Sequence, residues 1–158
     1  EIVKAGFVLG GSGGRGVMLA KDAATGRWEG PAFYNLGTAS IGFQAGVAKS
    51  EAVMLVMTEK AFNSFLSNKF KLGGDASVAA GPVGVGAQSD VKADVFTFAR
   101  SKGLYGGLNL DGTVVTVNGK WNNAYYGKSV TPVDILVRHS VTNPGAGTLI
   151  EAVANAAK

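Results

Sequence analysis

The 158-residue chain has no cysteine and a single histidine. Without cysteine it can form no disulfide, thiol nucleophile or thiolate metal site. One histidine excludes a multi-histidine metal centre, and any catalytic triad would depend on His139 alone. That residue lies in LVRHSVTNPG, where an apolar segment runs into a turn. The setting is that of a structural or solvated histidine. Carboxylates are also scarce, 11 against 15 Lys and Arg. No D-x-D-x-D-G calcium loop occurs, and nothing in the spacing selects an acidic pair for hydrolysis. No enzymatic activity and no cofactor are therefore expected. No apolar run approaches the roughly 20 residues of a membrane-spanning helix. No signal peptide is legible, and the chain opens inside a strand-like EIVKAGF, so a processing site is expected upstream.

Glycine is abundant, at 24 residues, and apolar residues make up 46% of the chain. That composition is globular, and the length suits one domain spanning residues 1–158. Five of the seven residues 10–16 are glycine, and Gly11, Gly13 and Gly16 spell G-x-G-x-x-G. A dinucleotide site needs a strand before this loop, a helix after it and an acid about 20 residues on. The strand is present in residues 5–9. The helix is absent: Val17 to Ala20 reads as a second short strand, stopped by AATG. A kinase glycine loop is strand–turn–strand, but the chain has no H-R-D or D-F-G. The loop is expected to be a glycine-rich hairpin tip. Its amides and Arg15 retain the option of cradling a phosphate in an anion-binding nest.

Gly or Ala alternates with Val, Ile, Phe or Leu in residues 5–20, 37–48 and 76–87. Glycines inside strands mark bends, bulges or close backbone approach. The expected fold is mainly β within an α+β class: a strongly curved antiparallel Gly-rich sheet, sandwich or barrel-like, with a few short helices. Residues 51–58 are apolar on both faces and read as a central strand, and residues 94–101 alternate with Phe96 and Phe98 on one face. Asp111-Gly112 between two strand-like runs is the strongest hairpin signal. Thr58 can cap a helix reaching residue 68, with Phe62, Phe65 and Leu66 on one side. Thr131-Pro132-Val133-Asp134 reads as a capping box with Pro at the first helical position, opening a short helix with Ile135, Leu136 and Val137. A C-terminal helix should turn Leu149, Ile150 and Val153 inward.

The net charge of +4 and a pI near 9.4 favour anionic partners. The cations are scattered, and no RNP or helix-turn-helix signature points to nucleic acid. Lys69 and Lys71 flank Phe70 in an arrangement suited to a membrane surface. The competing reading makes Phe70 core and the lysines solvated. Arg100 and Lys102 form a second pair near a turn. Trp28, Trp121, Tyr125 and Tyr126 have two readings as well, an aromatic belt or buried packing.

Several elements occur together in order: Lys4 to Phe7, Gly14 to Val17, Trp28 with Pro31, Gly42 to Gly46 and Val53 to Val56. Ala80-Gly81-Pro82, SKGLYGGLNLDG and NNAYYG followed by Ile135-Leu136 continue the pattern. Over about residues 3–138 the chain resembles the SYLF lipid-binding domain family. The resemblance implies non-enzymatic binding of anionic phospholipids or phosphoinositides at a membrane surface, and in eukaryotic relatives links to actin. With no SH3 or FYVE module in the chain, it resembles the small bacterial envelope type, often a lipoprotein. The expected location is then the periplasm or outer membrane, with a lipid anchor in the precursor. The amphipathic segment that precedes the family's Lys-Ala-Gly-Phe entry is not seen in this chain. The candidate lipid contacts are Lys4, Gly13, Gly14, Arg15, Lys21, Lys69, Lys71, Arg100 and Lys102. A structural or protein-interaction module of the envelope is the alternative.

Overall fold

The computed structural model describes residues 5–9, 14–37, 51–81, 93–101, 104–107 and 112–156. Among these residues nine strands occur in chain order: β1 (Ala5–Leu9), β2 (Arg15–Lys21), β3 (Trp28–Gly37), β4 (Glu51–Val56), β5 (Lys69–Lys71), β6 (Val78–Ala80), β7 (Val95–Ser101), β8 (Leu104–Gly107) and β9 (Val114–Val117). Among the described residues four α-helices accompany them: α1 (Glu59–Leu66), α2 (Gly119–Tyr126), α3 (Pro132–Leu136) and α4 (Gly147–Ala156). The strands run β5-β9-β3-β2-β1-β4-β7-β6, with β8 also on β7. All pairs are antiparallel except β6 with β7. The result is the expected α+β domain, sandwich-like, and the described pairings form an open path rather than a closed barrel.

β1 and β2 form the hairpin read from the glycine-rich loop, with Leu9 opposite Gly16, and β2 rather than a helix follows the loop. Gly14 holds φ +61°, and a Cβ there would run into the Leu36 carbonyl oxygen. Only glycine offers both the left-handed conformation and the close approach. Farther along β3, Gly30 and Pro31 form a bulge: Met18 pairs with Ala32 and Ala20 with Glu29, so β3 carries one extra residue. A proline inside a strand is tolerated at such a point because it has no N–H to give the ladder.

One sheet face builds the core. Met18, Ala20, Ala32, Tyr34, Leu36, Ala52, Met54 and Val56 are buried together on it. The Ala61 and Phe65 side of α1 and the Ile135 and Leu136 side of α3 cover them. Thr58 caps α1 by accepting from the Ala61 N–H at 3.2 Å. Thr131 and Asp134 make the reciprocal capping box of α3, with Pro132 at its start. Both starts were legible from side-chain chemistry. Val137 falls outside the buried side, at 47% exposure. In α4 Leu149, Ile150 and Val153 are half-buried, and no residue of that helix is fully buried.

Two expectations need correction. β4 is central, between β1 and β7, but its faces are unequal: Ala52, Met54 and Val56 are buried, whereas Val53 is exposed. The Asp-Gly turn does not close a hairpin onto β9. Both edges of β9 are already taken, one by β3 and the other by β5. Gly112, at φ +89°, instead donates its N–H to the Leu72 carbonyl at 2.8 Å, tying the turn to the segment after β5. Leu108 to Asp111 lie outside the described residues.

Candidate cationic face

The face opposite the core gathers cations through register, not through sequence proximity. Lys69 of β5 pairs with Thr116 of β9, Thr116 with Asn35 of β3, and Asn35 with Arg15 of β2. Paired residues point to the same side of a sheet. Phe70, Val115 and Leu36 in the adjacent row are buried, so Lys69, Thr116, Asn35 and Arg15 share the outer side. Lys71, opposite Val114, lies on that side as well. Three strand spacings of about 4.8 Å put the Lys69 and Arg15 backbones about 14 Å apart. Neither this row nor the Lys71, Val114 and Gly37 row contains a carboxylate. One acid, Asp75, sits beside β5, where its Oδ2 accepts from the Lys71 backbone N–H at 2.9 Å.

Helix α2 stands on the same outer side, over Phe33, and a ladder of asparagines fixes it there. Where β9 ends, Asn118 continues the pairing by donating its backbone N–H to the Phe33 carbonyl at 3.0 Å. The wholly buried Asn122 then takes the place of a further strand residue. Its Oδ1 accepts from the Phe33 N–H at 2.7 Å, and its Nδ2 donates to the Phe33 carbonyl at 3.3 Å. Asn118 also caps the helix, accepting from the Trp121 N–H at 3.1 Å, and its Nδ2 donates to Asn35 Oδ1 at 3.1 Å. Buried backbone groups beyond a strand end must find partners, and the two asparagines supply them.

This mounting sets Trp121 on the surface beside the cation row. Trp121 is 40% exposed. Its ring meets Phe33 edge-on at 5.8 Å, and the Arg15 guanidinium lies over it, 4.7 Å from the centroid. Tyr125 also packs edge-on against Phe33, at 5.2 Å, and the Tyr126 hydroxyl donates to the Pro31 carbonyl at 2.6 Å. Burial raises the Tyr126 hydroxyl above its ordinary pKa, aided by Tyr125 and Glu29, so it remains a donor at neutral pH. Lys120, exposed in the first turn of α2, adds a further cation next to Trp121.

The sequence candidates therefore divide. Arg15, Lys69 and Lys71 come together on one face, and Gly14 shapes the turn that presents Arg15. Phe70, between the two lysines, is core at 5% exposure. Lys21 is exposed but lies at the far end of β2, about 20 Å from Arg15 at 3.3 Å per residue. Arg100 sits on β7 opposite Glu51 of β4, on the other half of the sheet. Lys4, Gly13 and Lys102 lie outside the described residues. Of the aromatic group, Trp28 is buried, Tyr125 and Tyr126 are half-buried and Trp121 is exposed. Lys120 was not among the sequence candidates. Its only signal was proximity to Trp121 after the N-x-x-W cap spacing.

His139 has a structural role: Nε2 lies 3.1 Å from the Leu136 carbonyl and Nδ1 4.0 Å from Asp22, at a backbone φ of +52°. Among the described residues no three His, Cys, Asp or Glu side chains come together as a metal site, and no helix is long and apolar enough to cross a membrane.

Residues 37–156 match the family described as Ysc84, Las17-binding protein actin regulator. The chain belongs to the Ysc84/SYLF family. Its Ysc84 relatives include SH3 domain-containing YSC84-like protein 1 of Bos taurus, 31% identical over 141 residues, or 86% of this chain and 41% of that protein. The Xenopus laevis protein of the same name is 33% identical over 133 residues, covering 81% and 39%. Protein YSC84 of Saccharomyces cerevisiae is 31% identical over 156 residues, covering 94% and 33%. The chain thus spans between 33% and 41% of these relatives' lengths. The Ysc84 family is one of binding and actin-regulatory proteins.

Proposed function

We propose that the chain is a non-enzymatic module that binds anionic phospholipid, phosphoinositides included, at a membrane surface. The observation that carries this reading is the cross-strand register that aligns Arg15 and Lys69, with Lys71 beside them, in two rows of β5, β9, β3 and β2 that contain no carboxylate. Lys120, exposed and adjacent to Trp121 in the chain, is a fourth candidate cation. Each Lys or Arg near an anionic membrane contributes about 1 kcal/mol, so four give roughly 4 kcal/mol. That is a weak, reversible attraction, strengthened where lipids are densely charged. It is screened within about 8–10 Å at physiological ionic strength. A location in a bacterial envelope belongs to the same proposal and is checked by fractionating the source cells.

Liposome co-sedimentation tests the reading. Binding should rise with the anionic lipid fraction and fall with salt, and Lys69→Gln with Lys71→Gln should weaken it at an unchanged melting temperature. Equal binding to neutral vesicles, or none to any vesicle, would overturn it.

A second reading has one observation in its favour: the family is described by its Las17-binding members. On that reading the same cations receive an acidic protein surface. Charge-dependent capture of a protein partner without any vesicle binding would select it.

A further inference from the structure

The cation row is separable from the aromatic beside it, and the aromatic has no structural task that calls for its exposure. Trp121 is not a loop residue thrown outward by chance. Its backbone is anchored on both sides, by the Asn118 cap at 3.1 Å and by the buried Asn122 that follows it. Phe33 fixes the indole edge-on at 5.8 Å. The outer side of the ring is left uncovered at 40% exposure, except where the Arg15 guanidinium lies 4.7 Å from its centroid. A rigidly mounted indole with a cation on its face, at the border of a basic surface, matches the chemistry of the membrane–water boundary. There the amphipathic ring sits at headgroup depth with its N–H still solvated. The guanidinium is more weakly hydrated than an ammonium and meets phosphate in a bidentate fork.

We infer that Trp121 is the interfacial anchor of this face, entering the headgroup boundary of an anionic bilayer while Arg15, stacked on it, contacts a lipid phosphate. The inference rests on the membrane reading above and adds to it an orientation: the β5-β9-β3-β2 side, with the start of α2 leading, faces the lipid. Charge draws the surface in, and Trp121 sets its depth. The lysines and the tryptophan therefore have different signatures. Removing a lysine lowers affinity in a salt-dependent way and leaves the depth unchanged. Removing Trp121 lowers affinity even at high anionic charge. About 40% of an indole that buries up to roughly 250 Å² is about 100 Å², and moving half of it out of water corresponds to about a tenfold change in affinity.

The experiment uses the whole chain with vesicles of phosphatidylcholine and phosphatidylglycerol, some carrying bromine at shallow acyl positions. The chain has two tryptophans, and Trp28, 6% exposed, acts as the buried reference. Fluorescence of the unmodified chain minus that of Trp121→Phe isolates Trp121 without altering Trp28. The expected result is a blue shift and bromine quenching of the Trp121 signal on binding. Trp121→Ala should lose about tenfold in vesicle affinity at an unchanged melting temperature, and Lys69→Gln should leave the quenching of bound protein unaltered. Protein that sediments with the vesicles while its Trp121 emission stays unshifted and unquenched overturns this inference alone. Protein that sediments with no vesicle overturns the membrane reading and this inference with it.

Discussion

Replacing Asn122 with alanine tests whether a side chain truly stands in for a strand. Asn122 has no exposed surface and holds both backbone groups of Phe33, at 2.7 Å to the N–H and 3.3 Å to the carbonyl. In Asn122→Ala the carbonyl keeps its bond from the Asn118 N–H at 3.0 Å. The Phe33 N–H loses the partner that Asn122 gave it. An unsatisfied buried donor costs about 1–3 kcal/mol, and the small void adds to that, so the expected loss is about 2–3 kcal/mol. For a domain of this size each kcal/mol lowers the melting temperature by about 2–4 °C, giving a drop of about 5–10 °C. Thermal and urea denaturation followed by circular dichroism measure it, with an unchanged m-value as the sign that stability alone moved. The second consequence is local. With α2 loosened, Trp121 should become more exposed, and its emission should shift to the red before global melting. A loss below about 0.5 kcal/mol, the range of ordinary surface substitutions, would show that the Phe33 N–H finds another partner and that the asparagine ladder does not hold the helix.

Three further outcomes follow from other parts of the molecule. Phe65→Ala removes a fully buried ring that packs edge-on against Tyr34 at 5.8 Å and Phe70 at 4.7 Å, and should cost about 3–5 kcal/mol in denaturant titration. Gly14→Val forces a β-branched residue into φ +61° against the Leu36 carbonyl and should destabilise by about 1–3 kcal/mol or more, whereas Arg15→Ala next to it should leave the melting temperature nearly unchanged. Asp94 should contribute to acid sensitivity: burial raises its pKa, but bonds from the Ser77 N–H, the Thr58 hydroxyl and the Ser77 hydroxyl, with Lys60 nearby, lower it by more, below its usual 3.8. A carboxyl depressed in the native state stabilises above its unfolded pKa, and that stability is lost as pH falls through the depressed value. Melting temperature against pH should therefore hold down to about pH 4 and fall below it, and Asp94→Asn should flatten that fall.

Local chemistry was readable in the sequence and long-range register was not. The β1–β2 hairpin, the Thr58 cap and the Thr131–Asp134 capping box each depend on residues within a few positions of one another, and each formed as read. Phe70 had two readings in the sequence, and the strand alternation of Lys69, Phe70 and Lys71 in β5 decides for core. The Asp111-Gly112 signal failed because turn propensity says nothing about whether a strand edge is free, and β3 and β5 had already claimed both edges of β9. The cation face was hidden more deeply. Arg15 and Lys69 are 54 positions apart and meet only through two intermediate strands. No composition or spacing rule carries that information, so Lys21 and Arg100 looked as eligible as Arg15.

The same asymmetry explains why one helix joins stability and surface in this fold. α2 has little apolar surface of its own to bury: Asn122 is the one residue of the helix that is wholly enclosed. A helix held in part by polar bonds to a strand end can leave one aromatic side chain, Trp121, on the outside while Tyr125 and Tyr126 pack half-buried. Trp121 is exposed because the asparagines, not the tryptophan, do the anchoring. Had Trp121 served as the apolar anchor, it would lie as deep as Trp28, and Arg15 would have no ring to rest on. Buried amide and exposed indole are thus two halves of one arrangement. The first holds the backbone that carries the second, and that mounting is what a surface of few charges needs to meet a partner in a single orientation.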